Sequence, residues 1–275
     1  MSDYPYKLGL IGAGNMAEAI ARGAIERGIV SADAIVASDP SEERRAVFAG
    51  FGTKTFADAA EMIAACEQVW LAVKPQIFPK LAESVQAIDR DRQIVVSIMA
   101  GVTIGQIEQA TGGPTRAIRV MPNTPLMVGK GMSGIAPGDH AKHGDETLCV
   151  EVLRGCGEVA IVTEQDLDAV TAVSGSGPAY VFLLAEAMRD AAVELGLAGC
   201  DKLLVHQTIA GAAEMLARIV ETDENAEDLR RKVTSPGGTT QAAIEHFQSH
   251  GFEQLVKDAL TAARDRSIEL GKADG

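Results

Sequence analysis

The chain has 275 residues, enough for one large domain or two modest ones. A formal charge of -13 and an aromatic content of 4% exclude nucleic-acid binding, which needs a basic face and stacking rings. Hydrophobic residues at 47% allow a sizeable core, and the acidity means that any anionic ligand must be held by local devices such as helix N-termini or single cations.

Apolar runs alternate with helical patterns through the first half. Residues 7–11 read as a strand and 15–27 as a helix, 34–37 as a strand and 41–49 as a helix. The pattern repeats as 68–73 and 77–87, then 94–98 and 104–110, and ends on a strand over 117–121. Short strands near 134–136 and 158–162 extend the series. Such alternation predicts a parallel sheet covered by helices on both faces. From about residue 164 the strands cease, and helices follow over 178–195, 202–220, 226–232, 241–248 and 253–269.

The helix over 179–195 carries only a thin polar stripe, Glu186, Arg189, Asp190 and Glu194. A helix apolar nearly all round must be buried on most sides. A helical half of about 110 residues can hardly bury it alone, so a subunit interface is expected, with the centre of a monomeric bundle as the alternative. The cysteines, Cys66, Cys149, Cys156 and Cys200, form no C-x-x-C pair, and dispersed thiols fit a reducing compartment. Met1-Ser2-Asp3-Tyr4-Pro5 has no signal-peptide character, and no apolar run reaches membrane-spanning length. A cytoplasmic protein without a membrane or nucleic-acid partner is expected. The histidines show neither a triad order nor metal spacing, so no metal is expected.

Gly12-Ala13-Gly14-Asn15-Met16-Ala17 follows the first strand and opens the first helix. The first glycine allows the tight turn, the second lets a pyrophosphate approach the backbone, and the small Ala17 permits close helix–strand packing. The fold class expected is therefore α/β: a Rossmann-type parallel-sheet domain over 1–163, then an all-α dimerisation and substrate domain over 164–275. The second strand runs into Ser38-Asp39. An acidic residue here takes the ribose hydroxyls of NAD and repels the extra phosphate of NADP. Ser38, Arg44 and Arg45 could instead bind that phosphate, or the arginines could belong to a solvated helix face, so NADH and NADPH both stay open. Val73-Lys74-Pro75, Ser97-Ile98-Met99-Ala100-Gly101 and Met121-Pro122-Asn123-Thr124-Pro125 end later strands, where an open sheet binds ligands. Lys74 could offset phosphate charge, or be an ordinary surface lysine. Asn123 could bond the cofactor or only its own backbone. Near the C-terminus, Ser235-Pro236-Gly237-Gly238-Thr239-Thr240 opens a helix. Glycines, hydroxyls and a helix N-terminus make a carboxylate cradle, with an elaborate N-cap as the alternative.

Together with Ala72-Val73-Lys74-Pro75 and Ser174-Gly175-Ser176-Gly177-Pro178-Ala179-Tyr180, these motifs resemble the pyrroline-5-carboxylate reductase family from about Lys7 to Gly271. The resemblance implies reduction of 1-pyrroline-5-carboxylate to L-proline, the last step of proline biosynthesis, and an intertwined dimer, often built into rings. It implies a cofactor on Gly12, Ala13, Gly14, Asn15, Met16, Ser38, Ala72, Val73, Lys74, Pro75, Ala100 and Gly101, with Asn123 as a further candidate. It implies a substrate carboxylate on Ser235, Gly238, Thr239 and Thr240, with Thr240 as the catalytic candidate near the ring nitrogen. The stretch Ser38-Asp39-Pro40 departs from the more basic or neutral versions associated with NADPH preference. The competing functions are a 3-hydroxyacid dehydrogenase, which would need a catalytic lysine such as Lys202 or Lys232, and an NAD(P) sensor without turnover.

Overall fold

The computed structural model describes residues 4–273; Met1 to Asp3, read above for a targeting signal, lie outside the described residues. Strands and helices alternate as β1 (Tyr6–Ile11), α1 (Asn15–Glu26), β2 (Ile35–Ser38), α2 (Glu42–Ala49), β3 (Lys54–Phe56), α3 (Ala59–Ile63) and β4 (Cys66–Leu71). A 3-10 segment (Pro75–Leu81) and α4 (Ala82–Val85) lead to β5 (Ile94–Ser97), α5 (Ile104–Thr111), β6 (Ala117–Met121), β7 (Gly131–Pro137), α6 (Thr147–Arg154) and β8 (Gly157–Ile161). Among the described residues only helical segments follow: α7 (Leu167–Val170), a π turn (Thr171–Gly175), α8 (Gly177–Glu194), α9 (Asp201–Arg218), α10 (Ala226–Lys232), α11 (Thr239–Ser249) and α12 (Phe252–Ala273).

The eight strands form one sheet in the order β3-β2-β1-β4-β5-β6-β7-β8. The fold is the expected α/β class, with one qualification: β7 runs antiparallel to β6, and β8 parallel to β7. The helix expected over 77–87 is a 3-10 segment followed by one α turn, because Pro79 cannot donate the backbone bond that an α-helix requires there. Strand residues alternate between two cores. Leu8, Leu10, Ile35, Ala37, Trp70 and Val96 pack on one face; Ile11, Val36, Val69, Leu71 and Val95 pack on the other. Buried polar groups are tied together beside the sheet. Trp70 Nε1 donates to Gln68 Oε1 at 3.2 Å, Gln68 Nε2 donates to the Asp145 carbonyl at 3.3 Å, and Arg116 Nε donates to Asp145 Oδ2 at 2.9 Å. Burial pushes the Asp145 carboxyl up, but the bonds from Arg116 and from the Lys142 backbone N–H outweigh it and hold the group below the usual carboxylate range.

The chain forms two compact units, residues 1–178 with 262–275, and residues 179–261. The expected boundary at 163/164 marks where strands give way to helices. The compact division falls later because α7 and the π turn pack on β6 and β7. In the first unit large apolar side chains such as Trp70, Phe48 and Met62 are wholly buried. In the second, Phe182 is 62% exposed and Leu183 66% exposed on α8, and only Ala192 of that helix is buried. The stretch Glu164–Glu194 is long and apolar enough to cross a membrane by length and composition, with a mean hydropathy of 1.3. The expectation of no run of spanning length is corrected to that extent: an apolar window can carry the isolated charges that interrupt a strict run.

Candidate active site

The strand order reverses around β1, which lies between β2 and β4. At such a switch point the loops leaving the strands diverge and open a crevice at their carboxyl ends. Here the crevice has a volume of about 620 Å³ and is lined by Gly12, Gly14, Ser38, Ala72, Val73 and Lys74, with Asp39, Asp58 and Lys80. Gly12 has φ +96°, and a Cβ there would lie 2.8 Å from the Ala72 carbonyl, so the turn requires glycine. Gly12 N donates to the Ser38 carbonyl at 2.8 Å, and Ala72 N to the Ile11 carbonyl at 2.8 Å, which pins the three strand ends together. A Cβ on Gly14 would meet nothing within 4 Å. That open space stands before the N-terminus of α1, whose N-cap makes no side-chain hydrogen bond.

The residues after β2 brace this turn. Asp39 Oδ2 accepts from Ala13 N and Oδ1 from Ser41 N, each at 2.9 Å. Arg44 Nε donates to the Ala13 carbonyl at 2.6 Å and its Nη2 to Glu18 Oε2 at 2.8 Å. Arg45 donates to the Asp39 carbonyl at 2.7 Å and the Pro40 carbonyl at 2.9 Å. Burial pushes Glu18 up, but hydrogen bonds from Arg44 and Arg22 hold its carboxyl below the usual range. Arg44 and Arg45 thus hold the backbone of the turn and of the β2 loop. Ser38 is 3% exposed, and its Oγ has no hydrogen-bond partner although it lines the crevice. An orphaned buried hydroxyl and an open space before a helix N-terminus fit a dinucleotide.

Several expected cofactor residues lie off this lining. Asn15 and Met16 open α1, and Pro75 opens the 3-10 segment after Lys74. Gly101 has φ +77° and packs against α12, with a Cβ there 3.6 Å from Leu270 Cβ. Its neighbour Ala100 is exposed. Asn123 Nδ2 donates to the Ser174 carbonyl at 2.9 Å, and its Oδ1 accepts from Met132 N at 2.8 Å, so the side chain holds three segments together. Asp58 was not legible as a site residue, because the short β3 before it carries no clear strand pattern. Its N-cap position was the available signal: Oδ1 accepts from Ala60 N at 2.6 Å.

The second candidate site stands in the other unit. Gly237 has φ +69°, its N–H donates to Gln241 Oε1 at 2.7 Å, and Gly238 N donates to the Ser235 carbonyl at 3.0 Å. This turn delivers Gly238 as the N-cap of α11 without a side-chain cap, so Thr239 and Thr240 begin the helix with its first N–H groups lacking that partner. A carboxylate is the natural complement of such a terminus.

Sheet order, glycine turn and crevice define a protein of the dinucleotide-binding class. Comparison with known families sharpens this. Residues 164–270 match the model described as pyrroline-5-carboxylate reductase dimerisation, and residues 7–101 match that of NADP oxidoreductase, coenzyme F420-dependent. The chain is 40% identical to pyrroline-5-carboxylate reductase from Pseudomonas aeruginosa over 98% of each, and 37% identical to that from Arabidopsis thaliana over 98% of this chain and 96% of the relative. The structure of a pyrroline-5-carboxylate reductase from Coxiella burnetii superposes with a TM-score of 0.90 at 36% identity, covering 97% of this chain and 98% of the other. That of the Plasmodium falciparum pyrroline carboxylate reductase with NADP bound gives 0.81 at 30% identity, covering 97% and 98%. The chain belongs to the pyrroline-5-carboxylate reductase family. The dehydrogenase and sensor alternatives are not favoured by these relatives.

Proposed function

We propose that this chain reduces 1-pyrroline-5-carboxylate to L-proline with NADH or NADPH, as the last step of proline biosynthesis. The observation that carries the reading is the full-length likeness to reductases of that name, in a chain that has both a dinucleotide crevice and an uncapped helix terminus suited to a carboxylate. Bound in the crevice, the reduced nicotinamide supplies hydride to the carbon of the cyclic imine. Gly12, Ala13, Gly14, Asn15 and Met16 hold the pyrophosphate at the start of α1, Ser38 meets the adenosine ribose, and Ala72, Val73, Lys74 and Pro75 line the other side. Ala100, Gly101 and Asn123 support this site through the loops they shape. Ser235, Gly238 and Thr239 grip the substrate carboxylate, and Thr240 hydrogen-bonds the ring nitrogen. Solvent can protonate that nitrogen, so the task of these side chains is orientation more than proton transfer.

The apolar face of α8 supports a dimer through a helical domain starting near residue 164, extendable to a ring of dimers, in a cytoplasmic enzyme. The test is NADH and NADPH oxidation with 1-pyrroline-5-carboxylate beside a panel of 3-hydroxy acids under the same conditions. Turnover confined to the imine is expected; turnover confined to a hydroxy acid would overturn the reading.

A further inference from the structure

The crevice is not electrically uniform. On the side of β2 and β3 its lining is Ser38, Asp39, Pro40, Ala57 and Asp58, and among the described residues lining that side there is no cation. Its two lysines, Lys74 and Lys80, come from the segment that follows β4. With β1 between them, the ends of β2 and β4 stand about 10 Å apart, two strand spacings, and β3 lies one strand further out. The arginines closest in sequence to the β2 end are committed elsewhere: Arg44 to the Ala13 carbonyl and Glu18, Arg45 to the Asp39 and Pro40 carbonyls. Asp39 and Asp58 both accept hydrogen bonds from backbone N–H groups, which fixes the two carboxylates at this end of the crevice.

The adenosine ribose of a bound dinucleotide lies at the end of the second strand. There the orphaned Ser38 Oγ can bond a hydroxyl or a phosphate equally well and does not discriminate. The carboxylates do discriminate. Ribose hydroxyls can donate to them, whereas a 2′-phosphate would bring like charge to a place with no opposing guanidinium. We infer that this chain selects NADH over NADPH, and that Asp58 is a specificity-determining residue beside Asp39. The inference rests on the reading that the crevice holds a nicotinamide dinucleotide, but not on the identity of the substrate.

The test is therefore a titration of the full chain with NADH and with NADPH, without substrate, followed by nicotinamide fluorescence. NADH is expected to bind about tenfold tighter, a discrimination built by unmatched charge, and the gap is expected to narrow as salt rises. Asp58→Asn keeps a good N-cap and removes the charge. It should tighten NADPH about fivefold while NADH stays within about twofold, and kcat/KM should move in the same ratio. Asp58→Ser, also a competent cap, serves if the first variant folds poorly. Equal or tighter NADPH binding by the unaltered chain would overturn the inference. If that preference were lost in Lys80→Ala, the phosphate would belong to the lysine side. An unchanged ratio in both Asp58 variants would remove that residue from the selection. Binding of neither dinucleotide would overturn the crevice reading, whereas binding without imine turnover would overturn only the proposed substrate.

Discussion

The two compact units treat their apolar residues in opposite ways. The sheet unit encloses Trp70, Phe48 and Met62 within a single chain, and it ties buried polar groups to one another, Gln68 to Trp70 and Arg116 to Asp145. The unit of residues 179–261 buries Ala192 and Val205 but leaves Phe182, Leu183, Leu203 and Leu195 exposed, the last at 80%. One unit encloses its own core; the other lies within the span that matches the dimerisation family and leaves an apolar face for self-association. An exposed Leu or Phe gains about 1.5–3 kcal/mol when fully buried, and a two-fold interface counts each contact twice.

The largest expected effect breaks that dependence. Phe182→Asp with Leu183→Asp should abolish self-association and activity, while the sheet unit keeps its fold and still binds a dinucleotide. Light scattering and circular dichroism check this. A variant that stays assembled would place the interface on another face of the helical unit.

The next pair separates the two sites by unit. Gly14→Val fills the open space before α1, and dinucleotide binding should fall by at least about a hundredfold, with assembly intact. Thr240→Ala, at the start of α11, should lower kcat by about a hundredfold, the low end of the range for losing one hydrogen-bonding group at a reacting centre, with dinucleotide affinity unchanged. Fluorescence titration and steady-state kinetics read both variants. Wild-type turnover in Thr240→Ala would remove that hydroxyl from the mechanism.

The same contrast explains which elements are legible in the amino-acid sequence. Strands β1, β4, β5 and β6 announce themselves because buried parallel strands are continuous apolar runs. The glycine turn is legible because only glycine fits at Gly12. Lys54–Phe56 is too short for a pattern, and Thr147–Arg154 mixes Val, Leu and Cys, which suit strand and helix alike, so β3 and α6 were hidden. The antiparallel direction of β7 was equally hidden, since strand composition carries no direction. In the site, residue types were legible and commitments were not. Arg44 looks like a ligand group in sequence, and only the fold shows its hydrogen bonds going to the Ala13 carbonyl and Glu18.

Within the sheet unit, the Arg116–Asp145 pair offers a smaller test of self-sufficiency. Asp145→Asn leaves a largely buried guanidinium with a weaker partner and should cost about 2–3 kcal/mol by denaturant unfolding. The sign with pH follows from the depressed carboxyl. Its stabilisation is present above the unfolded value, about 4 for an aspartate, and is lost as pH falls through the lower folded value. The variant should therefore show a flatter acid limb in unfolding midpoint against pH than the unaltered chain.

The smallest effect is also the most discriminating. Arg44 braces the glycine turn through the Ala13 carbonyl and couples it to Glu18, without a bond to any group that faces the ribose. Removing it in Arg44→Ala costs a charge-assisted hydrogen bond on a half-buried side chain, about 1 kcal/mol in the geometry of the turn. If the arginine acts only through the turn, NADH and NADPH must both weaken by the same factor, about threefold to sevenfold, because both present the same pyrophosphate to it. If it turned to a 2′-phosphate on binding, NADPH alone would weaken and NADH would hold. Parallel titrations of the variant with the two dinucleotides decide between these, and a selective loss of NADPH would return Arg44 to the role its position in the sequence first suggested.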